Sequence, residues 1–234
     1  MSPPSHHVPP GLSRRSVMAA GLAGAVCGAF PGLAVAATTV RFPIEAANRR
    51  FSVLYDGDRI GSHTILSSSA NRETVITTEI HLLVKTAFIT TYAFAHRSEE
   101  VWRMGQLSSM RSDTEEDGES LHVEGRETPQ GFRVVSKGRP FFAPAATLTS
   151  NSLWTPQVLE QDTVVDAQHG GVIGITSRKY ADEELLISGH RVPVTRYTFI
   201  TPYLAGSIWY DRKSLWVHGE FEHDGTSVRY LLDN

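Results

Sequence analysis

The sequence has 234 residues, 41% of them hydrophobic, with 22 Lys and Arg against 25 Asp and Glu and a formal charge of −3. That length is ample for one hydrophobic core. The acidic balance, with no basic patch interleaved with aromatic residues, excludes a general role in binding nucleic acid or anionic membrane.

Arg14 and Arg15 are the only formally charged side chains among the first 36 residues. A weakly apolar run from Val17 to Leu33 follows them, and Ala34-Val35-Ala36 offers the small-x-small pattern read by signal peptidase. The stretch Ser13-Arg14-Arg15-Ser16-Val17-Met18 resembles the twin-arginine export signal. An apolar run of Gly and Ala rather than Leu suits that route. The resemblance implies passage across the inner membrane in a folded state. The expected organisation is an export signal peptide over residues 1–36, a single β-rich domain over 37–234, and a periplasmic location. An uncleaved anchor is the alternative, since Val17 to Ala37 covers 21 residues. Gly and Ala contribute little transfer energy, however, and Pro31 interrupts the run. After cleavage no stable membrane insertion is expected, and the remainder carries 20 Lys and Arg against 25 Asp and Glu. Cys27, the only cysteine, leaves with the signal. The mature chain then has no disulfide, no thiol nucleophile and no thiolate metal site.

Period-two alternation dominates the chain beyond the leader. Phe51, Val53 and Tyr55 share a strand face, Asp56-Gly57-Asp58 turns, and the chain returns through Ile60, Thr64 and Leu66. Strands are expected from about Thr74 to Val84 and from Phe88 to His96, where β-branched and aromatic residues concentrate. Turns are expected at Asp117-Gly118 and Pro129-Gln130-Gly131. Near residue 150 the rhythm changes. Thr155 before Pro156 reads as an N-cap and first-turn proline, predicting a short helix over 156–161. Past Gln168-His169-Gly170-Gly171 the strands resume: residues 172–180 pair with 183–189, and residues 194–200 come next. Asp211-Arg212-Lys213 and Asp224-Gly225 close the last two hairpins, with Leu215, Val217 and Phe221 on one face. The fold class is therefore all-β. It is an antiparallel meander of roughly ten strands, curled into a half-open or closed barrel. The concave face must be covered, and the segment around Trp154 is the natural plug or lid.

The hairpin LYDGDRIGSHTI, the segment SLWTPQVL and the closing hairpins around Trp209 and Trp216 resemble a family of exported proteobacterial proteins of unknown function. That family is distantly similar to half-barrel lipoprotein carriers of the LolA/LolB type. The resemblance implies a curved sheet with an apolar groove and a carrier or scaffold role, and it supplies no catalytic residues.

Candidate chemistry is sparse. His218, Glu220 and Glu222 lie on one strand face about 7 Å apart along the strand. Imidazole and carboxylate together can hold zinc, so a metal-assisted hydrolase using His218 and Glu220 is one alternative. Such spacing does not by itself converge side chains on an ion, and a solvated strand face is the plainer reading. The acidic run Asp113, Glu115, Glu116, Asp117 and Glu119 lacks the ligand pattern of a calcium loop and reads as a charged hairpin tip. No G-x-S-x-G is present, Gly170-Gly171 lacks the Lys-Ser/Thr of a phosphate loop, and no cofactor is expected. The aromatic residues carry the preferred reading. It is a binding or carrier-like protein, without catalysis, with an apolar groove lined by Phe88, Tyr92, Phe94, Trp154, Trp209 and Phe221 and with Trp154 at its mouth. Its occupant would be a hydrophobic small molecule or an exported protein partner. An accessory subunit of an exported complex is the other alternative.

Overall fold

The computed structural model describes residues 48–86, 89–223 and 225–233. The leader with its arginines and Cys27, and Phe88, lie outside the described residues. Strands Arg49–Tyr55 (β1), Asp58–Ala70 (β2), Glu73–Thr86 (β3), Ile89–Arg103 (β4), Gln106–Glu116 (β5), Glu119–Thr128 (β6), Gly131–Ser136 (β7) and Arg139–Ala143 (β8) each pair antiparallel with the next. A second meander runs through Thr163–Val165 (β9) and Val172–Gly174 (β10), which pair with each other, and then Thr176–Ile187 (β11), His190–Ile200 (β12), Ala205–Asp211 (β13), Trp216–His223 (β14) and Thr226–Leu232 (β15). β15 returns to pair with β1, so one antiparallel sheet of 13 strands runs in the order β11-β12-β13-β14-β15-β1-β2-β3-β4-β5-β6-β7-β8.

The turns arise from local chemistry. Asp56 and Gly57 have φ of 49° and 90°, and Asp117 and Gly118 have 48° and 85°. Two successive positive φ values twist a two-residue hairpin in the hand of its strands, and Asp-Gly reaches them cheaply. Gly206 serves a different need. A Cβ there would run into the Glu220 carbonyl and the Phe221 ring, so β13 can approach β14 only with glycine at that place.

The sheet does not close on itself. Its edges are β8 and β11, and residues 144–175 pass from one edge to the other. This connection fills the interior. Leu148, Trp154, Val158, Leu159, Val164, Val165, Ala167 and Ile175 share one buried cluster with Phe51, Ile65, Ile76, Trp102, Met110, Val123 and Phe132 from β1–β7 and with Tyr197, Phe199, Ile208 and Phe221 from β12–β14. A single cluster drawing on both halves of so long a sheet requires the sheet to curl around it. Inside the plug, Thr149 bridges Val165, and the amides of Ser150 and Val165 donate to the carbonyls of Val165 and Leu148 at 2.8 and 2.9 Å.

The helical segment is shorter and tighter than a first-turn proline suggests. It is a pair of 3-10 helices, Ser152–Trp154 and Pro156–Glu160, and Thr155 makes no side-chain cap bond. Its amides bond three residues back, as from Val158 to Thr155 and from Gln161 to Val158 at 3.4 Å. Five residues are too few to nucleate an α-helix.

Two bulges correct the expected pairings. Residues 172–180 and 183–189 do not form a hairpin. β11 runs through both and pairs with β12, with Tyr180 and Ala181 bulged between the Lys179–Tyr197 and Asp182–Thr195 pairs. Charged residues on both sides of Ala181 imitate a turn. On β14, Val217 is the extra residue between the Trp209–His218 and Tyr210–Trp216 pairs. The bulge lets Trp216 and Phe221 both face the interior, while Val217 joins Val194 and Trp209 on the opposite face of the sheet. Val217 and Phe221 therefore do not share a face.

Candidate functional site

The plug meets the two sides of the curled sheet differently. On β4 the inward positions His96, Ser98 and Glu100 are polar and no more than 2% exposed. Each is bound to the plug. One oxygen of Glu100 accepts the indole N–H of Trp102 at 3.1 Å and of Trp154 at 3.4 Å. The other accepts Ser152 Oγ at 3.3 Å and Thr149 Oγ1. Burial pushes the Glu100 carboxyl above its ordinary range, and these four donors pull against that push.

Asn151 Nδ2 donates to His96 Nε2 at 2.8 Å and to Ser98 Oγ at 2.7 Å. His96 therefore keeps its proton on Nδ1 for Thr114 Oγ1 at 2.8 Å, and the Thr114 hydroxyl passes on to the Gln168 carbonyl at 3.1 Å. Burial holds the His96 imidazole down to about 4, so it is neutral. Ser112 and Ser136 complete the row by donating to the carbonyls of Ala167 and His169.

Across the interior the plug stands off the sheet. A cavity of about 160 Å³ lies there, between Leu153, Val158 and Ile173 of the plug and Ile80, Phe199, Trp216, Phe221 and Tyr230 of the sheet. His63 on β2 lines it at 5% exposure. Its ring meets Trp216, Tyr230 and Phe51 edge-on at 5.2, 5.8 and 6.2 Å. Neither ring nitrogen has a hydrogen-bond partner among the described residues. Burial, with a smaller push from His96, lowers its pKa to about 3.

The rim is charged. His169 Nδ1 donates to Asp166 Oδ2 and Nε2 to Glu116 Oε2, both at 3.2 Å. These two carboxylates raise the imidazole to about 10, so it is a cation at neutral pH. Burial alone would raise Asp166, but His169 and the backbone amides of Gln168 and His169 hold it below the ordinary carboxylate range. Tyr203, 64% exposed, stands 6.3 Å from the His169 ring. One cation between two carboxylates leaves the rim with a net negative charge.

The residues expected to line a groove are only partly brought together. Phe221 lines the cavity. Tyr92 reaches the rim network through Glu116 Oε1 at 3.0 Å, and Phe94 stacks between Tyr92 and His96 at 6.3 and 6.2 Å. Trp154 is not at a mouth. It is 3% exposed, edge-on to Trp102 at 5.4 Å, and anchors the plug through Glu100. Trp209 lies on the opposite face, over His218 at 5.0 Å and bonded to Glu183 at 2.6 Å. Phe88 lies outside the described residues.

His218 and Glu220 approach to 3.3 Å on that outer face, and among the described residues no three His, Cys, Asp or Glu side chains are grouped to hold a metal ion. Glu116 belongs to the rim rather than to a merely solvated tip. Sequence reasoning missed His63, His169 and Asp166. Only the turn around Gly170-Gly171 marks that stretch as unusual.

Similarity to known proteins bears on the fold. Residues 51–233 match the family described as Domain of unknown function (DUF6134). The chain belongs to that family. No curated protein matches it. Among solved structures, a β-barrel-like protein of the domain of unknown function DUF1849 from Brucella abortus is similar, with a TM-score of 0.58 at 10% identity over 80% of this chain and 95% of that one. A likeness at that identity speaks to the DUF6134 fold alone. Among the described residues no helix is long and apolar enough to cross a membrane.

Proposed function

We propose that this protein is an exported, periplasmic, non-catalytic binding protein whose interior cavity takes a small hydrophobic molecule. The observation that carries the reading is the gap of about 160 Å³ between plug and sheet, walled mainly by apolar and aromatic side chains. A cavity of about 150 Å³ with apolar walls takes one benzene ring. The occupant is therefore ring-sized or a short chain, and a long acyl chain would require the plug to move. The negative rim disfavours an anionic head group. Binding draws on apolar area removed from water, at roughly 25 cal/mol per Å². The export reading rests on the leader pattern alone.

Toluene titrated into labelled protein tests the binding reading by methyl NMR. Shifts at Ile80 and Ile173 that saturate support it, and unchanged spectra at saturating toluene refute it. The mass of protein recovered from the periplasm tests export, with Ala37 as the expected first residue.

A further inference from the structure

Buried polar side-chain atoms without a hydrogen bond are few among the described residues: Arg49 Nε, Gln157 Oε1, Arg196 Nε and both ring nitrogens of His63. Of these residues only His63 is among those that line the cavity. Buried polar groups are nearly always paired, and one that is not calls for an explanation. The apolar neighbours Phe51, Trp216 and Tyr230 pack against the His63 ring and leave its nitrogens unused.

We propose that the cavity selects a neutral ring compound bearing a hydroxyl, of the phenol class, and that His63 is the specificity-determining residue that binds the hydroxyl. This rests on the cavity being a binding site. The assignment comes from donor and acceptor matching. A neutral imidazole offers one N–H and one bare nitrogen. A hydroxyl both donates and accepts, so it satisfies either. A carboxylate would meet only the N–H and carry its charge into an apolar wall. It would also pass the carboxylates of Asp166 and Glu116 at the rim. The aromatic walls and the volume suit a single ring. Burial keeps His63 uncharged at any pH near neutrality.

The test compares phenol with toluene, which have nearly the same shape. Both are titrated into the protein carrying ¹⁵N-labelled histidine. Phenol is expected to shift the His63 ring nitrogens and toluene to leave them nearly unmoved. His63→Phe is expected to weaken phenol about ten-fold relative to toluene, the size of one lost hydrogen bond. If that variant does not fold, the nitrogen shifts in the unmodified protein decide. Toluene binding with phenol excluded, or phenol binding with unmoved His63 nitrogens, overturns the hydroxyl assignment and leaves the cavity reading standing. Binding of neither compound overturns both.

Discussion

The two walls that face the plug differ in how they hold it. The β4–β7 wall presents His96, Ser98, Glu100, Ser112, Thr114 and Ser136, and each is tied to residues 149–169 by hydrogen bonds. The opposite wall presents Phe199, Trp216, Phe221 and Tyr230. There the ties are few, such as Tyr210 Oη to the Leu153 carbonyl at 2.9 Å and Ser177 to the Leu159 carbonyl. Hydrogen bonds have fixed lengths, so the first wall draws the plug close. Apolar packing has no such reach, and the second wall leaves a gap. The cavity lies on the side where hydrogen bonds to the plug are few.

Removing the anchor should have the largest effect. Glu100→Ala strands four buried donors, and a loss of about 3–5 kcal/mol is expected in urea unfolding. Glu100→Gln keeps the shape and should cost less. A loss under 1 kcal/mol for the alanine variant would show that the polar wall does not hold the plug.

Acid comes next, because it strikes both walls. His63 and His96 have folded pKa values of about 3 and 4 against 6.5 when unfolded. The unfolded chain therefore binds more protons below pH 6.5. Stability is complete above that value and falls as the pH drops toward 4, by up to ~2.7 kcal/mol per pH unit for two protons. Glu100 opposes this. Its raised carboxyl favours the folded state below the unfolded pKa, and that contribution is lost as pH rises through the folded value. His63→Phe should remove about half of the histidine slope in denaturation measured from pH 4 to 6.5, while His96→Gln should also loosen the plug.

His169 works with the opposite sign. Its pKa is raised to about 10, so its contribution is complete below pH 6.5 and disappears as pH rises through 10. Its partial exposure makes this a shallow alkaline decline. Melting curves of His169→Gln should lack it, and an unchanged decline would mean that the rim charges are uncoupled. Glu220→Gln on the outer face should have the smallest effect, within ~0.5 kcal/mol and without change in toluene binding.

Much of this fold was legible in local chemistry. Asp56-Gly57 and Asp117-Gly118 are hairpin turns because Asp-Gly adopts positive φ twice, and Phe51 and Val53 of the first alternating strand are buried, whereas the return strand buries His63 and Ile65 and leaves Leu66 exposed. What was not legible depends on distant partners. His96, Ser98 and Glu100 look like a solvated face until Asn151, Ser152 and Trp154, more than fifty residues on, satisfy them. Val217 and Phe221, four residues apart, lie on opposite faces because of the bulge at Val217, and a bulge has no reliable mark in sequence. His63 carries no local signal, since its isolation arises from aromatic rings on three strands.

The most direct test is hydrogen exchange resolved along the chain. If the plug is tied to the β4–β7 wall, the amides of Ser150, Val165 and Asp166 should exchange as slowly as those in the middle of β4. Free exchange over residues 148–167, with β4 still protected, would contradict the account.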